Sequence, residues 1–378
     1  MWASSKPFAG SRYHAALWML VALALVAGCE QSGQQQEATR KAEWPRTAIV
    51  ADLADRPDTE QTLPGVKAAG FDTVLFDAGA EPNSSLQQRL DAAKQQQLHT
   101  LVRLEAAEAD RLLTPRETTG LPGQQLPRAD GLVLKLERPA DLDMARQLRK
   151  ALQQKRPGTM LIAQVASGNA AEGLPPTTPG GLFDAVIHSD ASADMLSLLG
   201  SEDTLSPSTF AARHQPSHQP GHQDITEDNR WTRWHYLSHC RPAHGRQCSE
   251  DLRLLVMGFT QAPVPVTGVI EGPFWQGIYR SLIQLRRDTP LIHEGKMEWY
   301  AVDDQAGVVA YRLTNDQQQH VLVAINVSDQ HHELPLPFGF MADSKIRLWA
   351  SYAPETRELV TSKPVALPAR SAVVVIRD

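Results

Sequence analysis

Short apolar runs that alternate with helix-period segments constrain this chain more than any other feature. Residues 47–52, 71–77, 99–104, 131–136, 160–165, 183–188, 231–239 and 264–270 each read as a strand bounded by turn residues. Between them, residues 63–69, 84–97, 140–154, 252–259 and 275–287 carry helical periodicity. In the second of these, Leu86, Leu90 and Ala93 share one face. The segment 140–154 is the most regular and is stopped by Pro157-Gly158. Strands that alternate with helices build a parallel sheet covered by those helices. Eight such units close into a (β/α)8 TIM-type barrel. From about Lys296 the chain becomes strand-like to its end in Ser371-Ala-Val-Val-Val-Ile376, which predicts a small all-β C-terminal domain. No internal repeat beyond the βα alternation is evident.

The N-terminus reads as a targeting segment, not as part of the fold. Lys6, Arg12 and His14 form a positive region, and residues 15–27 are a short apolar run. Val26-Ala-Gly-Cys29 has the form of a bacterial lipobox, with cleavage before Cys29 and lipid on its thiol. A transmembrane helix would need about 18 or more apolar residues, and this run is shorter. The expected organisation is a lipoprotein signal peptide over 1–28, a Gln-rich flexible tether over 29–44, the barrel over 45–293 and the β-domain over 296–378. Glu30, not Asp, follows the cysteine, which favours the outer membrane over the inner one for an envelope protein on the periplasmic side.

The formal charge is −6 and becomes −8 once Lys6 and Arg12 leave with the leader. A mildly acidic chain carries no electrostatic footprint for nucleic acid. Apart from the lipidated Cys29, the mature chain has Cys240 and Cys248, and in an oxidising compartment they are expected to form a disulfide.

Three motifs in the second half resemble the α-amylase family of glycoside hydrolases. Gln261-Ala-Pro-Val-Pro-Val-Thr-Gly268 looks like the family's eighth-strand signature, a Pro followed five residues later by Gly. Tyr279-Arg-Ser-Leu-Ile-Gln-Leu-Arg-Arg-Asp-Thr-Pro-Leu291 resembles its last barrel helix. Gly307-Val-Val-Ala-Tyr-Arg312 and Val321-Leu-Val-Ala-Ile-Asn-Val-Ser328 are similar to the first strands of its C-terminal β-domain. Their order and spacing over about a hundred residues carry the resemblance, which implies an amylase-like barrel with a β-domain after it.

The same resemblance implies that the family's catalytic carboxylates are missing. The family hydrolyses glycosides with a carboxylate nucleophile and a carboxylic general acid, at the ends of strands four and five. Its strand-four pattern, Asp-Gly-Phe-Arg-Leu-Asp, aligns with Asp130-Gly-Leu-Val-Leu-Lys135, so Val133 replaces the Arg and Lys135 the nucleophile. The strand-five acid aligns with Gln164, and an amide delivers no proton at a useful rate. The strand-seven Asn-His-Asp corresponds to Ser238-His239-Cys240, and at strand three Arg103 and Ala106-Ala107 stand in the family's polar positions. Losing these groups removes most of the roughly 10⁶-fold or greater acceleration an enzyme supplies. The expectation is therefore no catalytic residue, no cofactor and no metal. The chain would be a lipid-anchored envelope protein that binds a carbohydrate or a protein partner. The alternative is an active glycoside hydrolase using relocated acids.

Glu105, Lys135, Glu137, His239 and Glu271 form the candidate pocket. Val133, Lys135 and Glu137 share a strand face, so Glu137 with Lys135 is either an acid–base pair or an ion pair that fills the old cleft. A Schiff-base role for Lys135 has no second feature to support it. His214, His218 and His222 recur every four residues, but Pro216, Pro220 and Gly221 interrupt any helix, which leaves a solvated His-rich loop. His235, His239 and His244 lie near the expected disulfide, where a structural role is the plain reading. Trp231, Trp234, Tyr236, Phe274 and Trp275 cluster around strands seven and eight, either as rings that stack on sugars or as core.

Overall fold

The computed structural model describes residues 44, 47–54, 59–79, 83–113, 126–138, 140–165, 181–189, 191–199, 205–214, 233–237, 252–262, 264–268, 272–337, 340, 346–359 and 364–377. Eight parallel strands close a barrel in chain order. They are β1 (Val50–Asp52), β2 (Thr73–Asp77), β3 (His99–Leu104), β4 (Gly131–Leu136), β5 (Met160–Val165), β6 (Ala185–His188), β7 (Arg233–Leu237) and β8 (Val264–Gly268), and β8 pairs back onto β1. The helices are α1 (Thr59–Ala69), α2 (Asn83–Gln95), α3 (Ala106–Leu113), α4 (Asp141–Lys155), α5 (Ala191–Leu198), α6 (Pro207–Arg213), α7 (Leu252–Gln261), α8 (Pro273–Asp288) and the short α9 (Leu291–Glu294).

The strands are apolar on both faces, as a sheet covered by helices requires. One face packs outward against the helices: Val74, Phe76, Val102, Leu104, Leu132 and Leu134 join Leu63, Leu90, Leu148 and Leu282 in one buried cluster. The other face fills the lumen with Val50, Leu75, Leu101, Val133, Ile162 and Val266. On β7, Leu237 meets Gly258 of α7, where an added Cβ would lie 2.3 Å from the Leu237 side chain. Period-two alternation then turns Trp234 inward, fully buried.

At the floor of the barrel, where the strands begin, a repeated device ties the strands in pairs. The residue before each of β2, β4 and β6 is an aspartate that accepts a backbone N–H from the start of the preceding strand. Asp72 takes Ile49 N at 2.9 Å, Asp130 takes Thr100 N at 2.8 Å, and Asp184 takes Leu161 N at 2.8 Å. The sequence spells this out as Phe71-Asp72-Thr-Val, Ala129-Asp130-Gly-Leu and Phe183-Asp184-Ala-Val. This is a repeat beyond plain βα alternation, and it corrects the sequence reading. Burial pushes the Asp72 carboxyl above its ordinary value, against the pull of Ile49 N–H, the Thr73 hydroxyl, Arg287 and His99.

After the barrel, β9 (Lys296–Asp303), β10 (Val308–Thr314), β11 (His320–Asn326), β13 (Ile346–Ala350), β14 (Ala353–Leu359) and β16 (Ala372–Arg377) form a six-stranded antiparallel sheet, and β12 (His332–Leu334) pairs with β15 (Val365–Leu367). Its faces alternate cleanly. Val309, Tyr311, Val323 and Val374 join the barrel's core, while Val308, Ala310, Leu322 and Val375 build a second cluster with Phe340 and Leu367. Polar contacts lock the seam: Arg253 donates to Asn326 O at 3.2 Å, Trp349 Nε1 to Ser281 Oγ at 2.6 Å, and Asp304 accepts Ser208 N at 2.7 Å. Buried Thr260 and Tyr311 share a hydroxyl hydrogen bond there, and burial raises the Tyr311 phenol well above its usual range. Barrel and sheet belong to one compact unit, Ala48–Asp378.

Helices α3, α5 and α6 are not anticipated by the sequence reading. The segments are short, and α5 and α6 lack a charged face that would reveal their period. His214 also departs from the expected solvated loop. It caps the C-terminus of α6, stacks on Phe210 with ring centroids 4.3 Å apart, and approaches Asp194 at 3.4 Å. His218 and His222 lie outside the described residues.

Candidate site at the barrel mouth

The lumen turns polar where the strands end. Asp52, Asp77, Arg103, Lys135 and Gln164 occupy inward positions at the C-terminal ends of β1 to β5, and Glu105 and Glu137 follow two residues after Arg103 and Lys135 on the same face. Arg103 and Val133 are register partners, as are Lys135 and Gln164. The residues aligned with the family's nucleophile and general acid thus stand side by side on adjacent strands.

Two charge ladders organise the rim. Arg103, 6 % exposed, donates from Nη1 to Asp52 Oδ2 at 3.0 Å and from Nε to Asp77 Oδ1 at 2.5 Å, which links β1, β3 and β2. Lys135 Nζ lies 3.0 Å from Glu105 Oε1 and 3.0 Å from Glu137 Oε1, so those two oxygens are no more than 6.0 Å apart. The hydrogen bond from Lys135 to Glu105 raises the ammonium above its ordinary value; burial opposes this, and Glu137 reinforces it. The side chain of Lys135 is 30 % exposed, while both glutamates are more than half exposed.

Local structure holds both glutamates. Glu105 N donates to Glu108 Oε2 at 2.8 Å, which ties the entry of α3. Glu137 N and Arg138 N both donate to Asp141 Oδ2, at 3.0 and 2.9 Å, which fixes the turn into α4. Burial would raise the Asp141 carboxyl, but these two N–H groups and the Arg138 guanidinium bring it below the ordinary value. Gln164 is 7 % exposed and donates from Nε2 to Ser189 Oγ at 3.2 Å. Its buried Oε1 meets no donor among the described residues.

The structure therefore brings together Glu105, Lys135 and Glu137 of the candidate pocket. His239 and Glu271 lie outside the described residues, as do Cys29, Cys240, Cys248, His244 and Trp231. Of the aromatic group, Trp234 is lumen filling and Trp275 is 7 % exposed beneath Tyr279, so both are core. Phe274 is 61 % exposed at the start of α8 and stands edge-on to Trp275 at 5.4 Å. The Asp52–Arg103–Asp77 ladder escapes sequence reasoning, although each of its acids is the last residue of its strand. Among the described residues no group of three His, Cys, Asp or Glu side chains converges as a metal cage.

Chemically, the mouth offers a cation held between two carboxylates, a buried amide acceptor and a second neutralised cluster. No described carboxylate occupies either position where the family alignment places its acids.

No family model matches the chain, and no curated protein matches its sequence. Among solved structures, an α-amylase of Anoxybacillus superposes with a TM-score of 0.57 at 12 % identity, over 88 % of this chain and 98 % of its own. An α-amylase from H. orenii gives a TM-score of 0.58 at 12 % identity, over 88 % and 100 %. A cyclomaltodextrinase gives 0.58 at 13 % identity, over 88 % and 78 %. At such identities the likeness establishes the fold, an amylase-like (β/α)8 barrel followed by an all-β sheet domain.

Proposed function

We propose that this chain is a degenerate relative of the α-amylases that has lost glycosidase chemistry. It would serve as a lipid-anchored envelope protein whose barrel mouth binds a carbohydrate or a protein partner. One observation carries the reading: Lys135 stands where the family alignment has its nucleophile, and both nearby glutamates are engaged by its ammonium at 3.0 Å. A lysine there forms no glycosyl ester. It also repels the oxocarbenium-like transition state. Two like charges about 4 Å apart cost about 4 kcal/mol at an effective dielectric of 20. That is roughly a thousandfold in rate. Gln164, beside it in register, removes the proton donor. The lipid anchor rests on the Val26-Ala-Gly-Cys29 motif.

The spacing of Glu105 and Glu137 supports a second reading, an active enzyme with relocated acids. Their oxygens lie no more than 6.0 Å apart, a bound that includes the roughly 5–5.5 Å of retaining glycosidases. Both acids are already engaged by the Lys135 ammonium at 3.0 Å, which favours the first reading. Reducing-sugar release from maltooligosaccharides separates the two. The first expects none above background; turnover that disappears on Glu137→Gln establishes relocated acids instead. A Cys29→Ser variant that stays in the membrane fraction unchanged would remove the anchor.

A further inference from the structure

The barrel floor, opposite the mouth, is ringed by cations. Lys67 Nζ donates to Gln97 O at 3.1 Å, Lys94 Nζ to Arg128 O at 2.5 Å, and Arg287 Nη2 to Gly70 O at 2.6 Å. Arg156 donates to Pro127 O. A cation in the last turn is what a helix dipole favours, so capping accounts for one per helix. Capping does not account for Arg128, an exposed residue in the loop before β4 that lies close enough to Arg156 for its charge to act on that guanidinium. Burial lowers the Arg156 pKa most, the Arg128 charge lowers it further, and the Asp130 carboxylate pulls the other way.

The floor's acids are already committed. Asp72, Asp130 and Asp184 hold strand N–H groups, and Asp184 also takes two 2.8 Å bonds from Arg149. Between Arg149 and Arg156 opens a pocket of about 280 Å³, whose lining includes Gly158, Thr159 and Asp184. The chain also enters here: Ile49, the residue after Ala48, is bonded to Asp72 at the start of β1. In sequence, Cys29 is therefore followed by a segment that leads into the floor end of β1.

We propose that the barrel floor is a membrane-facing surface, and that the Arg149–Arg156 pocket seats the phosphate of an anionic lipid headgroup. The proposal rests on the reading that Cys29 carries lipid. Charge complementarity and the point of chain entry select this occupant. A phosphate would add negative charge beside Arg156 and the exposed Arg128, and can accept from the Thr159 hydroxyl. Each exposed cation near an anionic bilayer adds about 1 kcal/mol, roughly fivefold in affinity.

The test uses the full chain, incubated with neutral phosphatidylcholine vesicles or with vesicles containing phosphatidylglycerol, and read by amide hydrogen exchange. The expected result is slower exchange at residues 94–98, 126–130 and 153–160 on anionic vesicles only, reversed by 0.5 M NaCl, with the first turn of α4 unchanged as an internal reference. Arg128→Gln and Lys155→Gln, neither of which removes a hydrogen bond described above, should together reduce the anionic-vesicle protection several-fold. Equal exchange on both vesicle types overturns the proposal. Equal protection by 10 mM inorganic phosphate without vesicles overturns the membrane as source and leaves a soluble anion. Intact mass of the same sample reports the lipid separately, so a missing lipid sinks the anchor while the exchange difference is still read.

Discussion

Replacing Arg103 by Met tests whether the mouth is built on its buried ion pair. Arg103 is 6 % exposed, and the carboxylate it meets at 3.0 Å, Asp52, is 4 % exposed. Removing the cation leaves the Asp52 charge in the lumen without its guanidinium. Asp52 Oδ1 keeps the Ala54 N–H at 2.9 Å, which offsets part of the loss. Breaking a buried pair from one side costs about 3–5 kcal/mol. Asp77 is 38 % exposed and can rehydrate, so it adds little. For a unit of this size about 3–4 kcal/mol corresponds to a fall of roughly 4–6 °C in Tm. The matched comparison is Lys135→Met, whose partners are more than half exposed; it should cost no more than about 1 kcal/mol. Urea unfolding followed by tryptophan fluorescence, with Tm alongside, measures both. The double variant Arg103→Met/Asp52→Leu should recover at least about 2 kcal/mol of the single loss, because the uncompensated charge is then gone. A single-variant loss below about 1 kcal/mol, or a double variant as damaged as the sum of its parts, would refute the reasoning.

Three further outcomes follow from the described contacts. Asp72 has a raised folded pKa, so its contribution is fully present below the unfolded value of about 3.9 and fades as pH rises through the folded value. Asp72→Asn retains an acceptor for Ile49 N–H and should change stability at pH 7 by less than about 1 kcal/mol while removing that pH dependence; a larger loss in a pH 3–8 melting series would contradict it. Asp141 has a depressed folded pKa, so its contribution is present above about 3.9 and disappears as pH falls through the folded value. Asp141→Asn should therefore lose stability at pH 7 and flatten the acid limb below pH 4. Gly258→Ala would gain helix propensity of about 1 kcal/mol in open space, yet its Cβ would lie 2.3 Å from Leu237, so net destabilisation of about 1–3 kcal/mol is expected from thermal unfolding.

The barrel was legible because its strands are short apolar runs with turn residues at both ends. The residues of β3, β4 and β5 match their expected limits to the residue. The starts of β1, β2 and β6 were placed two or three residues early because Ile49, Phe71 and Phe183 are apolar too, and composition carries no mark of where a register stops. Lys135 and its glutamates were readable from alternation alone, since residues two apart on one strand must share a face. Arg103 was readable only as an oddity on its strand. Asp52 and Asp77 reach it across strands 51 and 26 residues away in sequence, and no local pattern encodes that distance. The floor aspartates were written in the sequence three times, but an aspartate before a strand is also an ordinary turn residue. Only the bond to the neighbouring strand distinguishes the two.

The position of Glu105 and Glu137 follows from that of Lys135. Below the ammonium the lumen is closed by Val133, Ile162 and Trp234, all fully buried, so no solvent reaches it from that side. Counter-charge has to come from the rim, and the next residues on the same face are those two positions further along each strand. On β4 that residue is Glu137, and on β3 it is Glu105, both 3.0 Å from Nζ. Their acids are accounted for by the lysine, without any call on catalysis. Gln164 is not accounted for in this way: its amide Oε1 is buried on the adjacent strand and meets no donor among the described residues. An unmet acceptor costs about 1–3 kcal/mol. Its residue is the register partner of Lys135, at the same end of the lumen. If a ligand enters this mouth, the group that reaches furthest in should therefore be a hydrogen-bond donor directed at Gln164. Gln164→Leu would then weaken that ligand's binding by roughly five- to tenfold while leaving the fold as stable or more so. Titration calorimetry with maltooligosaccharides, paired with a Tm for the same variant, checks both halves. Binding unaffected by the change would place any ligand above the rim.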